Sequence, residues 1–168
     1  MIKHIFYLAL FSGLAACSTT EKSILSVEEQ AENVTTMCSE NANAIQQRQE
    51  SHSLYSRLGE RPGIEKFATN LYASHGENPV IGHFFENVPK EPFIKNVTDF
   101  VSVHSGGGGS YTQRDMATVH KDLGITLEDF LAAGGDIQTV MADLGQGDNE
   151  IQEVICFLVS LAPTVITK

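Results

Sequence analysis

The sequence predicts an all-α protein, and three observations carry the prediction. From Leu54 onward every segment with a clear apolar period repeats at three and four residues, no segment alternates as a strand would, and glycines or helix-capping residues separate the segments. The 168 residues are 42% hydrophobic and 19% charged, which suits one compact core with an appendage. A formal charge of -10 repels phosphate backbones, so nucleic acid is disfavoured as a partner.

The appendage comes first. Lys3, the apolar run Ile5 to Phe11 and the small residues before Cys17 read as an export signal, too short to be a permanent membrane span. Leu14-Ala15-Ala16-Cys17 resembles the bacterial lipobox, which implies a signal peptide over 1–16 and a lipid anchor on Cys17. Ser18 in place of Asp implies sorting to the outer membrane, facing the periplasm. An ordinary secretory leader with an incidental cysteine is the alternative.

Residues 17–51 form the tether. Its first part is polar and reads as flexible. In its second part Ser26 and Glu29 suit a capping box, and Ala31, Val34, Cys38, Ala42 and Ile45 recur at helical spacing, so an extra helix and a disordered spacer both remain open. Export would place Cys38 and Cys156 in an oxidising compartment, where a pair of cysteines tends to bridge, and a Cys38–Cys156 disulfide is expected. A simple buried thiol at Cys156 is the other reading.

The compact part spans 52–168. Ile64, Phe67, Ala68, Leu71 and Tyr72 mark one helix face; Phe93, Val97, Phe100, Val101 and His104 mark a second, with Pro92 in the first turn. Gly106 to Gly109 should end that helix in an extended loop. Asp115 can cap a short helix with Met116, Val119, His120 and Leu123 on one side and Gly124 as its stop. Thr126 and Asp129 suit the start of a helix through Leu144. Gly134-Gly135 inside it predicts that another group approaches the backbone there. Asp148 begins a last apolar helix that ends before Pro163.

Of six histidines, His4 goes with the leader, His52 lies in the polar approach, and His75 and His83 fall near helix ends where solvated rings are common. His120 differs, because it shares the apolar side of its helix with Met116 and Leu123. A lone buried histidine is often just a hydrogen-bonded core residue. No histidine or cysteine stands at a zinc-ligand offset from it, and Asp122 points elsewhere. Haem supplies four nitrogen ligands itself and needs one imidazole, which fits this isolation better.

At this point the chain resembles a family. Leu54-Tyr55-Ser56-Arg57-Leu58-Gly59, Leu71-Tyr72, His83-Phe84-Phe85, the glycine run with Tyr111-Thr112, and Met116 to His120 leading into Leu123-Gly124-Ile125-Thr126 are similar, in order and spacing, to the group I truncated haemoglobins. The resemblance covers about two thirds of the chain and implies a truncated globin fold, a two-over-two helical sandwich, binding haem b. It implies His120 as the proximal iron ligand, Phe85 stacked on the haem face, and Tyr72 as the donor toward a bound gas. It implies Tyr111 near a haem propionate, and Phe93, Val97, Phe100, Val101, Met116, Ile125, Phe130, Ala133 and Ile137 as pocket lining. Tyr72 read by itself could equally be a core aromatic whose hydroxyl finds a carbonyl.

Departures from the family fall where reactivity is set. Many members carry glutamine at the position of Val97; Phe93 stands near the ligand entrance, and Asn96 replaces a histidine that in some members binds iron. His104 lies far along the helix and reads as peripheral. One donor is left, worth about 1.5–3 kcal/mol to a partly charged ligand, so oxygen should be held less well than by a tyrosine–glutamine pair while other gases still bind. The function expected is reversible binding of diatomic gases (oxygen, nitric oxide) at the envelope, with nitric oxide detoxification or weak peroxidase activity as the enzymatic form. The sequence shows no flavin or nicotinamide motif, so turnover would need an external reductant. A haem carrier or sensor, and a haemless globin-like interaction module, are the alternatives.

Overall fold

The computed structural model describes residues 25–168. The leader, the lipobox and Cys17 lie outside the described residues. Among those residues there is no strand. The first element, α1 (Val27–Ser51), starts at a complete capping box: Ser26 accepts from the Glu29 amide at 3.1 Å and Glu29 accepts from the Ser26 amide at 2.8 Å. The extra segment is therefore helical, and its thin apolar stripe packs on α6 and α7.

A short α2 (Leu54–Arg57) leads through Gly59, at φ 83°, into α3 (Glu60–Glu77). Gly63 is obligatory there, since a Cβ would stand 2.0 Å from the Leu58 carbonyl oxygen. A 3-10 turn (Gly82–Phe85) precedes α4 (Lys90–Ser102), which widens into a π-helical turn (Val103–Gly107). The glycine run then releases the chain with φ of 96°, 77° and 80° at Gly106, Gly108 and Gly109. Gly107 is needed for space: a Cβ would meet the Tyr55 ring at 2.7 Å.

After the loop come α5 (Met116–His120), α6 (Leu127–Asp143) and α7 (Asp148–Val165). Asp115 caps α5 by accepting from the Thr118 amide at 2.7 Å, and Thr126 with Asp129 forms the capping box of α6. Helices α3 and α4 make one pair and α6 and α7 the other, joined by α3 on α6, which is the two-over-two arrangement. The core lies on that seam: Ile64, Ala68 and Leu71 of α3, Ile137, Val140 and Met141 of α6, and Val154 and Ile155 of α7.

Three local expectations change. α5 ends at His120, one turn early, so Leu123 leaves the apolar side and is 44% exposed. α7 runs through Pro163, because a proline in the last turn orphans only one carbonyl. Among the described residues no group approaches the side-chain position of Gly134 or Gly135, where a Cβ would meet nothing within 4 Å.

Candidate functional site

The assigned residues come from seven places along the chain. Tyr72 is on α3, Phe85 ends the 3-10 turn, and Phe93, Val97, Phe100 and Val101 run along α4. Tyr111 sits in the glycine loop, Met116 and His120 on α5, Ile125 in the next corner, and Phe130, Ala133 and Ile137 on α6. The corner is pinned by the C-terminus: the Ile125 amide donates to Thr167 Oγ1 at 3.0 Å, and its carbonyl accepts from the Thr167 and Lys168 amides.

Two aromatic groups form. In the first, the Tyr72 ring lies 5.5 Å from Phe93 and 6.4 Å from Phe85, with Phe85 and Phe93 5.5 Å apart. In the second, Phe100 contacts Tyr111 at 5.1 Å, His104 at 4.1 Å and Phe157 of α7 at 5.7 Å. His104, peripheral by sequence, thus belongs with two assigned residues; the widened turn after Ser102 shifts its register, and its Nδ1 donates to the Phe100 carbonyl at 2.8 Å. Burial pushes the Tyr111 phenol up from its ordinary value, and Asp99 adds to this against Arg114 and Lys95. Lys95 and Arg61 in turn hold the Asp99 carboxyl below the usual carboxylate range.

The ring of His120 is set by its own helix. Its Nδ1 lies 2.7 Å from the Met116 carbonyl oxygen, which can only accept, so the proton sits on Nδ1. In the neutral ring this leaves Nε2 with its lone pair, and no hydrogen bond among the described residues engages it. A neutral imidazole oriented this way is the donor a single-histidine iron site requires. The lining agrees: Ile125 and Ile137 are buried, while the other eleven assigned residues, six of them Phe or Tyr, are only partly buried. Imidazole, aromatic and aliphatic side chains of this kind fit a flat apolar cofactor.

Sequence reasoning missed two buried ionisable groups. His75 is 6% exposed, not solvated, with its ring 5.1 Å from Phe85. Its place was legible in the stripe Ile64, Ala68, Leu71, which continues to 75. Glu153 of α7, 2% exposed, gave no signal; it accepts from Arg48 at 2.6 Å, from Arg57 at 2.5 Å and from Gln49 at 3.3 Å. One turn along the same helix, Cys156 is joined to Cys38 in a disulfide with the Cα atoms 5.3 Å apart. α1 is thereby fastened to α7 by a covalent and an ionic link.

No protein-family model matches the chain. Among curated proteins it is similar to a group 1 truncated haemoglobin of Chlamydomonas moewusii, 26% identical over 116 residues that span 68% of each chain. A group 1 truncated haemoglobin of Tetrahymena pyriformis is 25% identical over 101 residues, 60% of this chain and 84% of that one. Among solved structures, a Tyr→Phe variant of the truncated haemoglobin from Tetrahymena pyriformis in its Fe(III) form superposes with a TM-score of 0.63 at 21% identity, over 68% of this chain and 97% of that one. The 2/2 haemoglobin of a Synechococcus species, in a cyanomet state with covalently attached haem, gives a TM-score of 0.63 at 22% identity, covering 68% and 98%. These superpositions establish the fold.

Proposed function

We propose that the chain is a group 1 truncated haemoglobin, binds haem b through His120 and takes up diatomic gases. The observation that carries the reading is the Met116 carbonyl on His120 Nδ1, which leaves Nε2 as the ligand atom. Haem, when bound, supplies an iron with an open position for a small gas. The chain's own residues orient the imidazole, and Phe85 with the apolar side chains of α4 would supply the contacts that hold the cofactor.

Substitutions in the Tetrahymena pyriformis structures fall on one tyrosine and two glutamines. Counted from Tyr72 at the same intervals, this chain has Phe93 and Val97, so both glutamine positions are apolar. That favours gases that do not depend on hydrogen-bond donors, nitric oxide among them. Oxidation of nitric oxide to nitrate would use an external electron donor. The leader pattern ending at Cys17 and the Cys38–Cys156 bridge support a lipid-anchored site in an oxidising envelope compartment, with the tether over 17–51 and the haem domain over 52–168. Fatty-acid labelling that persists in Cys17→Ser would remove the anchor.

The central test is an absorption spectrum of the leaderless chain with added haem, in ferric, ferrous and carbon monoxide forms. The parent should show a globin Soret band. His120→Ala should lose pigment or its axial ligation, and free imidazole should restore it. A parent that stays colourless, or an alanine variant with an unaltered spectrum, overturns the assignment.

A further inference from the structure

The hydroxyl of Tyr72 donates to the backbone carbonyl of Val88 at 2.9 Å. The segment that receives this bond links Phe85 to α4, and it is itself turned by the Val88 amide donating to the Phe85 carbonyl at 3.1 Å. A helical chain would satisfy the Val88 carbonyl from four residues on. That residue is Pro92, which has no N–H. The next carbonyl, of Pro89, already serves the Phe93 amide at 3.1 Å and starts the α4 ladder. Tyr72 therefore fills a role that the local sequence leaves open.

Resting on the haem reading above, we propose that Tyr72 is a positioning residue, the pin that fixes Phe85 and Phe93, and that the ligand side of the pocket offers a bound gas no strong hydrogen-bond donor. A phenol has one proton to give. To serve a gas it must leave Val88, whose carbonyl has no other donor among the described residues, so the exchange trades one hydrogen bond for another and gains little. Phe93 and Val97 hold the two neighbouring positions and can donate nothing. Oxygen, which gains most from a donor, is then disfavoured relative to carbon monoxide and nitric oxide, and the Phe93–Val97 wall sets ligand choice.

The test has a haem-free arm and a gas arm. In the haem-free leaderless chain, Tyr72→Phe should lower the folding constant by about tenfold, since Val88 loses its donor. In the haem-loaded protein, Tyr72→Phe should change the oxygen dissociation rate by less than about threefold and leave the stretching frequency of bound carbon monoxide in place. Val97→Gln, which adds an amide donor, should slow oxygen dissociation by about tenfold or more. An unchanged folding constant, a tenfold faster oxygen loss in Tyr72→Phe, or no slowing in Val97→Gln each overturns the proposal. Failure to take up haem would sink the functional reading separately, and the haem-free arm would still decide what Tyr72 holds.

Discussion

Nδ1 of His75 on α3 lies 2.8 Å from a carboxylate oxygen of Asp136 on α6, and the other oxygen of that carboxylate accepts from Asn78 at 2.8 Å. This buried bridge joins the two helix pairs directly behind Phe85, whose ring touches the imidazole. It is the polar counterpart of the apolar seam between α3 and α6.

Burial lowers the His75 pKa below the ordinary 6.5, although Asp136 pulls it the other way. The unfolded chain takes up the proton near the ordinary value and the folded chain only below it. The stability contribution is therefore complete above that value and is lost as the pH falls through it toward the lower folded value. Urea titrations from about pH 7.5 to about pH 5 should show the midpoint falling, and His75→Gln should flatten that slope. An equally steep slope in His75→Gln would assign the effect to other groups.

Glu153 is the hub of the α1–α2–α7 junction. Replacing it with alanine takes the carboxylate from Arg48 and leaves Arg57 with Glu150 alone; the two arginine side chains are only 24% and 18% exposed. The expected loss is about 3 kcal/mol, at the lower end for a broken buried pair because both guanidinium groups reach some water. Chemical denaturation of Glu153→Ala measures it, and a loss below 1 kcal/mol (roughly the worth of a surface pair) would mean the junction is not built on this carboxylate.

The Cys38–Cys156 bridge closes a loop with a sequence separation of 118. Chain entropy assigns such a closure about 3–5 kcal/mol, and reduction or Cys38→Ser should move the denaturation midpoint accordingly. Hydrogen exchange should report faster opening across α1, which keeps only its apolar stripe and the Arg48 and Gln49 contacts after reduction. A midpoint indifferent to reductant would place the bridge outside the stability of the fold.

Two glycines should respond in opposite directions. Gly135 is helical, exposed and unobstructed, so Gly135→Ala should stabilise by about 0.5–1 kcal/mol. Gly107→Ala drives a methyl group into Tyr55 and the Ser102 carbonyl and should destabilise by about 1–3 kcal/mol. Thermal melts of the two variants check both signs.

Much of this protein was legible one residue at a time. The capping pairs Ser26–Glu29 and Thr126–Asp129, the cap at Asp115 and the stop in the glycine run act within a few residues of themselves, and the sequence located all of them. The isolation of His120 among apolar neighbours was visible too. The early end of α5 was not, because a single turn of helix is decided by packing on α7. The open space at Gly134 and Gly135 was misread for a related reason: a glycine shows that a group could approach and not whether one does.

By itself, the sequence determined the helical period, the breaks and the placing of one imidazole on a short capped helix, since these depend on neighbours three or four residues away. Tertiary structure alone decided which partners the polar groups took: Asp136 for His75, Arg48 and Arg57 for Glu153, and the Val88 carbonyl for the Tyr72 hydroxyl. Those choices join residues far apart in the chain. A buried polar group accepts whichever partner the packed helices bring within reach, and only the completed fold specifies that partner.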